Sequence, residues 1–92
     1  MDAKDRELCG LFSQLTGEEQ LKVVRLARAM VAMDAGQKAD FKELMARTVM
    51  TKAENEVTRA DASFMSDAAE AILQGVSVET LFNYWRIFLA TA

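Results

Sequence analysis

Apolar residues near the C-terminus recur at helical spacing. From Ser77 onward they occupy the i, i+3, i+4 and i+7 positions of a buried stripe: Val78, Leu81, Phe82, Trp85, Phe88 and Leu89. Ser77 favours a helix start, because its hydroxyl can accept a hydrogen bond from a free N–H of the first turn. Four of the seven aromatic residues lie in this stretch, so we expect much of the core to form against this helix.

Two further helices are predicted in the first part of the chain. The first covers residues 3–15, and the second begins at the capping-box pattern Thr16–Glu19 and ends at Gly36. Apolar residues cover nearly half the circumference of the second helix: Val23, Val24, Leu26, Ala27, Met30, Val31 and Met33. Its opposite side carries three basic residues: Lys22, Arg25 and Arg28. A stripe this wide predicts contact with two neighbouring helices or with another chain.

Residues 37–62 allow two interpretations. An apolar stripe that begins after a cap at Asp40 changes phase at Met50. Either the helix breaks near residues 49–51, where Thr51 begins another capping-box pattern, or one long or kinked helix contacts different partners along its length. We favour the long or kinked helix, since neither glycine nor proline interrupts this range.

A helical corner is predicted at Gly75. The helix before it ends at Gln74 and has three alternative caps: Asp61, Ser63 and Ser66. Gly75 terminates that helix, and the joint to the final helix is too short for a flexible linker. The chain has no proline and many good helix formers. We therefore predict an all-α fold, a compact bundle of four to five helices.

Length and composition restrict the class of protein. The 92 residues make one helical domain, 1–92, whose core is marginal without a partner or a second copy. No apolar run reaches the roughly 18–20 residues of a membrane span, and the N-terminus leads into no apolar signal core. The single cysteine excludes an intramolecular disulfide. We expect a cytoplasmic protein that does not contact a membrane.

Few residues are candidates for catalysis. The chain has no histidine, which is the usual general base and the commonest nitrogen ligand of metals. Cys9 has no candidate catalytic partner nearby in the sequence, and the four glycines form no phosphate-binding loop. We therefore expect no enzyme, no cofactor and no metal site.

Residues 71–86 carry the pattern of a helix-turn-helix. A small residue, a turn glycine and three apolar residues fall where that motif needs them: Ala71, Gly75, Val76, Leu81 and Tyr84. The segment resembles the helix-turn-helix of bacterial regulators, and residues 75–81 are similar to the mercury-resistance regulator family. The resemblance implies that the second helix enters the major groove of DNA, where it would present Asn83 and Arg86. The basic residues of the second helix of the chain, Lys22, Arg25 and Arg28, would add phosphate contacts.

The same segment departs from that pattern at three positions. Phe82 occupies a position that is often arginine in that family, and Glu70 and Gln74 occupy positions that the motif normally buries. One positive charge in the reading helix cannot neutralise several phosphates, and the net charge of the chain is −3. DNA binding through residues 66–86 is therefore the alternative hypothesis.

The leading hypothesis is a non-enzymatic protein-binding regulator, adaptor or inhibitor. Methionine side chains adapt to irregular partner surfaces, and the apolar stripes exceed what a monomer of this size readily conceals. We expect a homodimer in which the second and last helices share a core. The candidate apolar contacts are Met30, Met33, Tyr84, Ile87 and Phe88, and an acidic patch for a basic partner consists of Glu54, Glu56, Asp61 and Asp67.

Overall fold

Five α-helices make up the described part of the chain. The computed structural model describes residues 2–89, with side chains as far as Ile87. The helices are α1 (Ala3–Ser13), α2 (Gly17–Ala32), α3 (Ala35–Arg47), α4 (Arg59–Leu73) and α5 (Val78–Tyr84). Two 3₁₀ turns, Val49–Thr51 and Glu54–Glu56, lie between α3 and α4, and the π-helical stretch Trp85–Leu89 extends α5. Residues 2–89 contain no β-strand, and the predicted all-α bundle is confirmed.

Side-chain caps begin α2 and α5 where the sequence predicts them. The Glu19 N–H donates to Thr16 Oγ1 (3.2 Å), and the Thr16 N–H donates to Glu19 Oε1 (2.9 Å). At the start of α5, the Thr80 N–H donates to Ser77 Oγ (3.2 Å). These bonds satisfy N–H groups that have no partner within the first helical turn.

The corner at Gly75 ends α4 and leads into α5. Gly75 has a φ of +92°, a conformation that crowds any Cβ atom. The Gly75 N–H donates to the Ile72 carbonyl, and the Val76 N–H donates to the Ala71 carbonyl, both at 3.0 Å. These are the two hydrogen bonds of a Schellman motif. The predicted helical corner is confirmed.

The junction between α2 and α3 lies earlier than predicted. The Gln37 N–H donates to Asp34 Oδ1 (2.8 Å), and the Asp34 N–H donates to Gln37 Oε1 (3.0 Å). This capping box begins α3 before Gly36 is reached, so Gly36 lies in the first turn of α3. The expected end of α2 at Gly36 and the expected cap at Asp40 are therefore wrong.

The expected long or kinked helix over residues 37–62 is also wrong, and the break near residues 49–51 is correct. The helix α3 ends because Thr48 leaves the helical conformation, with φ −122° and ψ −93°. The buried Thr48 hydroxyl donates to the Leu44 carbonyl (2.7 Å). The Thr51 hydroxyl donates to the Thr48 carbonyl (2.6 Å), and Thr51 does not cap a helix.

Thr58 caps α4, and none of the three residues predicted to do so does. The Asp61 N–H donates to Thr58 Oγ1 (3.2 Å), and the Thr58 N–H donates to Asp61 Oδ2 (2.9 Å). Asp61 is thus the third helical residue of a capping box, while Ser63 and Ser66 lie further inside α4. The helix α4 therefore begins earlier than predicted, because Thr58 forms a capping box with the acid three residues later.

The helix α4 lies at the centre of the bundle. It packs against α2, α3 and the π-helical stretch, and α3 also contacts α5. The buried apolar core comprises Ala29, Met33, Phe41, Leu44, Met45, Val49, Phe64, Ala68, Ala69, Ile72 and Leu81. The helix α1 contributes no buried side chain to this core.

Candidate functional site

An open groove lies between α1, the start of α2 and the start of α4. Two adjoining cavities of about 520 Å³ and 450 Å³ form it, and they share Leu15, Glu19, Val23 and Arg59 as lining residues. We call this feature the apolar groove, and its apolar lining consists of Leu8, Leu11, Phe12, Leu15, Val23, Leu26 and Met65. Its size is in the range of concave binding sites in proteins.

The apolar groove is open because α1 does not pack closely on the bundle. Leu8 and Leu11 point into the groove yet remain 64% and 56% exposed. At the end of α1, the Gln20 side-chain amide donates to the Phe12 carbonyl (3.0 Å) and holds the turn into α2. An isolated helix of this length is marginal in water, so a partner that covers its apolar stripe would stabilise α1.

Charged and hydroxyl groups surround the groove. Arg59 lies 3.5 Å from the Glu19 carboxylate, and its side chain is 90% exposed. The Lys22 ammonium donates to the Ser63 hydroxyl (2.7 Å). Hydrogen bonds from Thr16 hold the pKa of Glu19 below its ordinary value. An apolar floor with a mixed-charge edge is also found in proteins that bind amphipathic segments.

The helix α2 turns part of its apolar arc outward and part of its basic side inward. The Arg25 guanidinium donates to both Glu70 oxygens (2.7 and 2.6 Å), which raises the pKa of Arg25 and lowers that of Glu70. The Lys22 carbonyl accepts from the buried Ser66 hydroxyl (3.2 Å). Outside these contacts, α2 exposes an apolar surface, the outer strip, made of Val23, Ala27, Met30 and Val31. Within this strip Val31 is 84% exposed.

The predicted apolar contact residues do not share one environment. Met33 is only 4% exposed and belongs to the core, so its expected place on a binding surface is corrected. Met30 lies in the outer strip, whereas Tyr84 and Ile87 are exposed on the C-terminal helix, which packs on α3 and α4. The Tyr84 ring stacks on Phe64 with 6.4 Å between centroids. The side chain of Phe88 lies outside the described residues.

The predicted acidic patch loses one member. Glu54 and Glu56 are exposed on a 3₁₀ turn, and Asp67 is exposed on α4. Asp61 is 1% exposed, because it accepts hydrogen bonds from the Lys52 ammonium (2.8 Å) and from the Thr58 hydroxyl (3.0 Å) and N–H (2.9 Å). Burial raises the pKa of Asp61, but the bonds from Lys52 and Thr58 outweigh it and hold that pKa below its ordinary value.

The predicted DNA contacts are largely engaged within the molecule. Lys22 and Arg25 bond to α4, as described above, while Arg28 and Asn83 are exposed. On α5, Glu79 accepts from Arg47 (2.7 Å). Two guanidinium groups lie over the Phe82 ring, that of Arg47 at 4.4 Å and that of Arg86 at 6.0 Å from its centroid. The helical corner at Gly75 is therefore present, but few cations project from it.

Sequence reasoning missed the apolar groove. The apolar stripe of α1 is visible in the sequence, but amphipathic spacing does not reveal whether a neighbouring helix covers such a stripe. The available signal was the apolar stripe of α1 together with the wide apolar arc of α2. Val23 of that arc lines both cavities of the groove.

Two other kinds of site do not occur in the described part of the chain. Among residues 2–89, no three acidic or cysteine side chains are grouped so that they could hold a metal ion. No helix within the described residues has the length and apolar character needed to cross a membrane. Comparisons with protein-family models, curated proteins and solved structures found no match to this chain.

Proposed function

We propose that the protein is a non-enzymatic protein-binding regulator, adaptor or inhibitor that accepts an apolar helical segment of another protein in the apolar groove. The observation that carries this proposal is the exposure of Leu8 and Leu11 beside a lined cavity. A core-packing helix would bury those residues. The proposal includes a cytoplasmic location, which rests on the single cysteine of the sequence.

The groove suits an amphipathic helix. A helix presents anchors at i, i+3, i+4 and i+7 along one side, and the groove supplies apolar contacts from three helices. Met65 adds an adaptable thioether to its floor. Complete burial of a leucine side chain is worth about 1.5–3 kcal/mol, so covering the exposed part of Leu8 or Leu11 would contribute about 1–2 kcal/mol each.

A pull-down followed by reconstitution tests the proposal. The full chain serves as bait, the captured protein is identified, and its binding to the purified chain is then measured. We expect Leu11→Asp to abolish this binding without loss of helix content, because it places a charge in the groove. The matched control is Ile87→Asp, which changes an exposed residue on the C-terminal helix. Loss of binding in Ile87→Asp but not in Leu11→Asp would reject the groove and favour the C-terminal helix.

The alternative function is a transcriptional regulator that reads DNA through residues 66–86. It is supported by the Schellman corner at Gly75, which connects α4 to α5 as the motif requires. Steeply salt-dependent binding of duplex DNA, weakened in Arg28→Ala, would favour this alternative. Duplex binding that is absent at low salt would reject it.

A further inference from the structure

The outer strip of α2 has an unusual internal symmetry. Around Ala27, valine lies four residues away on both sides, at Val23 and Val31, and apolar residues lie three residues away on both sides, at Val24 and Met30. At 100° per residue these five residues cover an arc of about 120°. Ala27 is exposed, and Val23, Met30 and Val31 are 40%, 43% and 84% exposed. Val24 borders the outer strip and is half-buried.

This arrangement is complementary to itself. When a second α2 lies antiparallel with a two-fold axis through Ala27, Val23 faces the second Val31 and Met30 faces the second Val24. The small side chain of Ala27 allows the two helices to approach at their crossing point. In a two-fold contact, a charge that lies near the axis meets its own copy, which is unfavourable. The charged residues of α2 all lie outside the arc.

The chain exposes more surface than the average folded monomer of its mass. The chain exposes 6508 Å², whereas a folded monomer of 10.2 kDa is expected to expose about 5,300 Å². The excess of about 1,200 Å² is more than the roughly 800 Å² that each partner buries in a standard interface. The outer strip and the neighbouring stripe of α1 supply apolar surface for such an interface.

We propose that a second copy of this chain covers the outer strip, in a two-fold antiparallel α2–α2 contact centred on Ala27. This contact goes beyond the proposed function, since it uses the outer strip and shares only Val23 with the apolar groove. The occupant is a second copy because the strip is uncharged and symmetric about one residue. Both properties suit a two-fold contact, in which the same patch must be complementary to itself.

Cysteine cross-linking tests the register of the contact. In a Cys9→Ser background, Ala27→Cys is expected to form a disulfide-linked dimer under mild oxidation, because the two-fold axis brings position 27 against itself. Val23→Cys and Val31→Cys should cross-link poorly when alone but readily when the two variants are mixed. A Val23→Cys chain that cross-links with itself as fast as Ala27→Cys overturns the antiparallel register.

Sedimentation equilibrium of the full unmodified chain tests the association itself. Val31→Asp is expected to raise the dimer dissociation constant at least about tenfold per copy, hence about a hundredfold for the symmetric contact. Ile87→Asp is the control and should leave the constant unchanged, with circular dichroism to verify the fold of both variants. A wild-type chain that is monomeric at every concentration overturns the proposal.

Partner binding in the apolar groove and dimerisation through the outer strip can be tested independently. Leu11→Asp should abolish binding of a partner helix in the apolar groove while it leaves the dimer intact. A Leu11→Asp chain that no longer dimerises would move the self-contact to α1 and overturn the assignment to the outer strip.

Discussion

Replacing Asp61 by alanine should destabilise the fold more than replacing any exposed acidic residue by alanine. The carboxylate is 1% exposed and accepts bonds from the Lys52 ammonium (2.8 Å) and from Thr58, so it connects the loop after α3 to the first turn of α4. Alanine removes the capping box and leaves the Lys52 ammonium without this partner. The side chain of Lys52 is 28% exposed, so water would solvate part of its charge.

The cost can be worked from these contacts. A helix cap contributes about 1 kcal/mol, and a hydrogen bond to a charged group about 1.5–3 kcal/mol. Breaking a fully buried ion pair costs about 3–5 kcal/mol, which is an upper limit here because Lys52 is partly hydrated. We expect Asp61→Ala to lower the free energy of unfolding by about 2–4 kcal/mol, a large part of the roughly 5–14 kcal/mol typical of a chain this long.

Urea unfolding followed by circular dichroism measures this loss. Asp61→Asn should lower the free energy of unfolding less than Asp61→Ala does, because the amide oxygen of asparagine can still accept a hydrogen bond from Thr58. Asp67→Ala is the matched control, an exposed acid on the same helix, and should stay within about 0.5 kcal/mol of wild type. If Asp61→Ala unfolds at the same urea concentration as Asp67→Ala, the Lys52–Asp61–Thr58 contacts do not stabilise the fold.

The same carboxylate predicts how stability depends on pH. Its pKa is lower in the folded protein than the ordinary value of 3.8, so the unfolded chain binds more protons between the two values. The stabilisation by Asp61 is therefore complete above about pH 4 and is lost as the pH falls through the folded pKa. Asp61→Asn should flatten this part of the acid-unfolding curve, and an unchanged curve would contradict the assignment.

Three further outcomes are expected. Gly75→Ala should lower the free energy of unfolding by about 1–2 kcal/mol in urea titrations, because alanine is strained at positive φ. In a double-mutant cycle, Arg25→Gln and Glu70→Gln should each lower the urea midpoint, and their joint effect should be smaller than the sum, since they share one bidentate ion pair. Fluorescence anisotropy with labelled duplex DNA should show no binding at physiological salt, and binding that falls steeply with added salt would instead support the reading of DNA by residues 66–86.

Local chemistry predicted several helix ends, and tertiary contacts decided the rest. The Thr16–Glu19 box, the Ser77 cap and the Gly75 corner depend on residues within one turn, so their sequence patterns sufficed. The region after α3 carries two threonine-acid patterns, at Thr51 and at Thr58, and the sequence does not rank them. The structure uses the second, whose acid is Asp61 and pairs with Lys52.

The candidate surface was predicted only in part. The wide apolar arc of α2 predicted contact with two neighbouring helices or with another chain, whereas α4 is the helix that packs closely on α2. The same arc contains both the buried Met33 and the exposed Val31. Periodicity gives the direction of a residue around the helix axis and not the helix that lies opposite it. The split between core and surface on α2 therefore needed the position of α4.

The rotation of α2 about its own axis is the strongest physical reason to expect a covering partner. Each valine would contribute about 1.5–3 kcal/mol if it were fully buried, but turning Val23 and Val31 toward α4 would expose Ala29 and Met33, which are only 3% and 4% exposed in the core. The observed rotation also directs Arg25 toward Glu70 on α4, in a pair that is exposed enough to contribute little by itself. The valines on the opposite side of α2 are therefore buried only when another polypeptide covers them. With a second copy on the outer strip, the same rotation satisfies the ion pair and buries the valines together.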